Sequence, residues 1–189
     1  MDTTENINSL GIVVSAFGRF RMLDLGDLTW NLEHDLACPN NLIGTIDVYL
    51  TTHHGLARSG VPALVEAIAP RAVLMNNGPR KGGSVETWDT LRKTKSVQDV
   101  WQLHYSVQRP LSANFEEKAD PGGPGFNAPE DFIANLEPTP EPPAPARGTP
   151  VPAHSPAYFL KVSVQPDGSF SVTNSRNGFS KKYSAGPKR

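Results

Sequence analysis

Two stretches decide how this chain folds: residues 20–27, FRMLDLGD, and residues 47–55, DVYLTTHHG. In each, an apolar run of strand-forming residues stops abruptly at a polar group: Gly26-Asp27 in the first, His53-His54-Gly55 in the second. β-branched and aromatic residues suit a pleated surface, so residues 20–25 and 46–51 read as strands. In open α/β sheets, chemistry gathers at the carboxyl ends of strands. Asp27 and the histidine doublet occupy that place on two successive strands.

Working outward, residues 10–15 (LGIVVS) read as a strand, turned by Phe17-Gly18-Arg19 into residues 20–25. Residues 28–37 suit a short helix with Trp30 and Leu32 or Leu36 inward, broken at Pro39-Asn40-Asn41. Residues 59–68 form a second helix, with Ser59 as N-cap, Pro62 in the first turn and Leu64, Val65 and Ile68 as an apolar stripe. Residues 72–75 (AVLM) have the fully apolar pattern of a buried strand, and residues 76–84 are a Gly/Asn/Pro loop. A helix over 85–93, with Ser84 as its cap, and a strand over 97–105 follow. Strands and helices alternating at this spacing specify an α/β layered fold.

The character changes after about residue 110. Residues 120–126 (DPGGPGF) are loop, 128–136 hold one or two helical turns, and 138–156 carry eight prolines, the composition of an extended spacer. Residues 158–164 and 169–173 then form a β-hairpin about Asp167-Gly168, with Phe159, Val162, Val164, Phe170 and Val172 as its apolar positions. The expected organisation is a domain over 1–109, a linker over 110–157, a hairpin over 158–183 and a disordered tail over 184–189.

The net charge of −1 gives no electrostatic drive toward nucleic acid, for which Arg80, Lys81, Arg92, Lys93 and Lys95 are only a modest cluster. The single cysteine, Cys38, makes neither an internal disulfide nor a thiolate zinc site alone. No apolar run approaches the roughly 18 residues of a membrane span, and residues 1–9 are polar and acidic, unlike a secretory signal. A cytoplasmic location is expected for the sequence as written, and export if a signal segment precedes it.

Asp27 has two readings: a metal-bridging carboxylate at a strand end, or the N-cap of the helix that follows. His53 and His54 are imidazoles at a strand end, suited to bind a metal, or simply polar loop residues. Alternation along a strand would send them to opposite sides, leaving one as ligand and the other as its neighbour or a substrate contact. Arg80 and Lys81, in the loop after the buried strand, are candidates to hold an anionic substrate group. That loop lacks a Walker arrangement, and neither Ser59 nor Ser84 has a nucleophile-elbow context. His34, His104 and His154 read as structural or solvated.

Taken in order, Asn8-Ser9-Leu10, residues 20–27, residues 47–55, Ser59 and residues 70–78 (PRAVLMNNG) resemble the second half of metallo-β-lactamase-fold hydrolases. The subgroup most similar is related to the hydrolase domain of competence-type DNA-uptake channel proteins. The resemblance covers roughly residues 5–105. It implies half of an αββα sandwich, with Asp27 as bridging carboxylate and His54, or its neighbour His53, as the last metal ligand. It further implies zinc or a related divalent metal, dinuclear in the complete fold, and ester or phosphodiester hydrolysis by metal-activated water. The family's histidine-x-histidine-x-aspartate-histidine cluster is absent, and the loop at residues 78–84 lacks the histidine its relatives often carry. Half a sandwich would leave an apolar sheet face bare, so a missing upstream half or a second copy is the expected partner. The alternative is a non-catalytic remnant or binding module of the same fold.

Overall fold

The computed structural model describes residues 4–106, 127–136 and 157–186. Six strands form one sheet in chain order: β1 (Ile12–Ala16), β2 (Phe20–Asp24), β3 (Val48–Leu50), β4 (Ala72–Met75), β5 (Asp99–His104) and β6 (Ile133–Asn135). β1 pairs antiparallel with β2, and every later pairing is parallel. Parallel neighbours need crossovers, and the right-handed preference puts crossovers that advance in one direction on one face. Helices α1 (Trp30–Ala37), α2 (Pro62–Ile68) and α3 (Val85–Lys93) accordingly pack together with Leu23, Tyr49, Val73 and Met75. The α/β character expected from the alternation is what the chain adopts.

The opposite face is not bare. β7 (Leu160–Val164), β8 (Phe170–Asn174) and β9 (Ser180–Tyr183) form a three-stranded antiparallel sheet. Its Phe170, Val172 and Tyr183 bury against Phe20, Val48, Ala72, Leu74 and Trp101. Four-residue β4 shows why AVLM lacks alternation: Val73 and Met75 meet the helices, while Ala72 and Leu74 meet the second sheet. Aromatic contacts fasten the two sheets. Centroid to centroid, Phe20 lies 5.3 Å from Phe170 and Trp101 lies 5.7 Å from Phe179. Each such pair contributes about 0.5–1.5 kcal/mol beyond area burial. The Trp101 indole N–H donates to the Tyr183 hydroxyl, which donates to Asp99.

Several local expectations change. Residues 128–136, expected as helical turns, make one 3₁₀ turn (Glu130–Phe132) and then β6. Asn135 donates to Leu103 and Tyr158 carbonyls, and Asn174 donates to Ile133, so distant partners set this conformation. The hairpin gains a third strand, SKKY, whose Lys181 reaches Asp99 at 2.8 Å. Ser59 does not cap α2: its hydroxyl donates to Leu28 O at 2.7 Å, and Val61 precedes the helix. Trp30, expected inward, is exposed, whereas Leu32 and Leu36 pack on the core. Phe159 is likewise exposed. The expected disordered tail begins ordered, with Arg71 donating to the Ser184 carbonyl. Most of the expected linker, including the proline-rich spacer and His154, lies outside the described residues.

Candidate metal centre

The parallel register brings the ends of β2, β3 and β4 to one edge of the sheet. Leu23 pairs with Tyr49, and Leu50 with Leu74, so Asp27, His53-His54 and Asn76 all emerge there. Asp27 does not cap α1, because that helix begins after Thr29. Instead Asp27 Oδ1 lies 3.5 Å from His54 Nε2, with both side chains partly exposed. The carboxylate and imidazole singled out in the sequence therefore meet.

The histidine doublet is not strand. It sits in a 3₁₀ turn (Thr52–Gly55) with both residues left-handed: His53 at φ 52°, ψ 41° and His54 at φ 59°, ψ 16°. Such conformations cost non-glycine residues of order 1–3 kcal/mol each and persist only where the surroundings over-determine them. Here they do. His53 N donates to Gly26 O, Gly83 N to His54 O, Ser84 N to Gly55 O, and Leu56 N to His53 O, all at 2.8–3.0 Å. Beneath the turn, Thr52 N donates to the Tyr49 hydroxyl at 3.1 Å, and that hydroxyl lies 2.7 Å from Thr52 Oγ1. The strand alternation expected of the doublet does not apply to such a turn, and the rings sit 6.3 Å apart at 62°.

His54 Nδ1 lies 3.1 Å from the Asn76 carbonyl. A carbonyl only accepts, so Nδ1 is the donor in this bond, and the ring is held with Nε2 toward Asp27. Metal-ligating histidines are commonly oriented this way. His53 Nδ1 is buried and finds no hydrogen-bond partner among the described residues. Burial lowers the His53 pKa; Asp27 opposes this, and His54, Lys81 and Arg58 lower it further.

A cation held at about 2.0–2.2 Å by two tetrahedral ligands separates them by roughly 3.3–3.6 Å. The Asp27–His54 spacing of 3.5 Å fits that requirement. The donor set fits only in part: among the described residues no group of three or more His, Cys, Asp or Glu side chains is arranged to hold a metal. A four-coordinate or dinuclear centre therefore needs donors beyond this pair.

Of the proposed substrate contacts, Lys81 and Arg80 are exposed in the loop that docks on the histidine turn, and Lys81 acts electrostatically on His53. Arg58, which the sequence reading passed over, joins it; its position four residues after the doublet was the available signal. Gly82 and Gly83 were also missed. A Cβ on Gly82 would stand 2.0 Å from His54 O, so only glycine lets the loop approach. His34 stands on exposed α1 beside Asp35, at 3.8 Å. His104 ends β5, its backbone N–H and carbonyl both bonded to the Asn77 side chain and its pKa lowered by burial. Searches with the whole chain found no matching protein-family model and no matching curated protein.

Proposed function

We propose that this chain contributes one side of the active centre of a metal-dependent hydrolase. Asp27 and His54 hold a divalent cation, preferably zinc, whose remaining ligands lie outside the described residues. The observation that carries this reading is the 3.5 Å approach of Asp27 Oδ1 to a His54 ring with its other nitrogen directed at Asn76 O. Once bound, the metal would supply a Lewis acid and an activated water for attack on an ester or phosphodiester. The chain's own residues bind and orient. Asn76 O orients the His54 ring with Nε2 toward Asp27, Asp27 contributes an anionic donor, and Arg58 and Lys81 draw an anionic substrate toward His53. The same metallo-β-lactamase-like order of motifs supports the assignment.

The test is zinc titration of the full chain by calorimetry, beside Asp27→Asn, His54→Gln and, as a control, His34→Gln. Weak zinc binding is expected, reduced at least tenfold by either site variant and unchanged by the control. Zinc binding indifferent to both site variants refutes the reading. A non-catalytic module of the same fold is the second reading, favoured by the lack of a three-ligand group among the described residues. It is preferred if zinc binds at Asp27 and His54 yet no phosphodiester is hydrolysed when candidate partner polypeptides are supplied.

A further inference from the structure

β1 is the edge strand of the six-stranded sheet, and neither covering layer reaches most of it. Leu10 is 82%, Ile12 47%, Val14 51% and Phe17 59% exposed, and Val13 is exposed on the other face. A strand apolar on both faces is the pattern of a sheet interior, not of an edge. Soluble proteins guard edges with lysine, proline or a bulge. β1 has none of these: no charged residue occurs from Asn6 to Gly18, and its register with β2 is unbroken from Ile12↔Asp24 to Ala16↔Phe20. Phe17 adds a second anomaly. It stands at the hairpin tip with φ 54°, where asparagine or glycine would serve the turn better, and its ring is in water.

We propose that β1 pairs with β1 of a second copy of this chain, antiparallel about a two-fold axis at Val14, making one continuous sheet across the dimer. The sequence is self-complementary in that register. Ile12 stands opposite Ala16, Val13 opposite Ser15, Phe17 opposite Gly11 and Leu10 opposite Gly18, so each large residue meets a small one. Gly11 is small for an internal reason too, since a Cβ there would stand 2.8 Å from Leu25 Cδ2. With no charge in the stretch and a net charge of −1 per chain, no like-charge repulsion opposes the pairing. The two candidate metal centres would lie at opposite ends of such a sheet, so this pairing is independent of the metal reading.

The test is the solution mass of the full chain by light scattering, with Val14→Lys, Phe17→Asn and Leu42→Lys alongside. The wild type is expected at twice its 20.5 kDa at roughly 100 µM. Val14→Lys places two ammonium groups face to face across the axis and should raise the dimer dissociation constant at least tenfold, with circular dichroism unchanged. Phe17→Asn relieves the turn while removing the ring, so it should weaken the dimer without weakening the monomer. Leu42→Lys, at an exposed leucine outside the strand, should change nothing. A monomeric wild type at that concentration, or a dimer untouched by both β1 variants, overturns the proposal. So does a β1 that pairs only with a different protein.

Discussion

Replacing Gly82 by alanine isolates the contact that holds the loop of residues 78–84 on the histidine turn. Gly82 has φ +78°, and an added Cβ would meet His54 O at 2.0 Å and His54 Cβ at 2.7 Å. A left-handed L-residue costs about 1–2 kcal/mol. Forcing extra volume into a packed contact costs about 1–3 kcal/mol. Displacing the loop also breaks the adjacent Gly83 N–His54 O bond, worth about 1 kcal/mol. The expected loss is therefore about 3–6 kcal/mol. Gly178 is the matched control: its φ is +72°, but nothing lies within 4 Å of its added Cβ, so Gly178→Ala should cost only the conformational share. Urea unfolding followed by far-ultraviolet circular dichroism measures both variants. A Gly82→Ala loss within about 0.5 kcal/mol of the Gly178→Ala loss would refute the claim that backbone contact, not conformational preference alone, seats the loop. Zinc affinity should fall in Gly82→Ala and hold in Gly178→Ala, because only the first disturbs His54.

Tyr183→Phe removes a hydroxyl that accepts from Trp101 and donates to Asp99 between the two sheets. Leaving that buried donor short should cost about 1–3 kcal/mol, read as a lower urea midpoint with unchanged slope; a neutral result would show that the bridge contributes nothing. Glu33→Gln tests the buried carboxyl beneath the histidine turn. Burial raises the Glu33 pKa above 4.5, against hydrogen bonds from Val61, Gly60 and Thr52 that lower it. The native state then holds its proton more tightly than the unfolded chain, so wild-type stability from this group falls as pH rises through 4.5 and levels off above the raised native value. The variant lacks this dependence, so its advantage should grow from near pH 4.5 upward; a pH-independent difference in urea midpoints would contradict it.

The main sheet was legible because its strands are short and apolar, with chain order preserved in space. AVLM at residues 72–75 was readable without alternation, since only a strand covered on both faces tolerates it. The meeting of Asp27 with His54 was legible because both follow strands that run parallel. The orientation of His53 and His54 was not: strand alternation was the wrong rule for two left-handed residues in a turn held by three backbone bonds to neighbouring segments. β6 escaped notice because IAN has no local strand signal, and its conformation comes from Asn135 and Asn174 bonding across the chain. Ser59 misled for the same kind of reason: Leu28 O takes its hydroxyl before the helix can.

The second sheet has a consequence for synthesis. Trp101 waits for a hydroxyl 82 residues downstream, on β9. At about 5–20 residues per second, the Phe20–Val48–Leu74–Trp101 face stays naked for roughly 4–16 s while the rest is translated. Nascent chains halted before β7 should engage chaperones or precipitate.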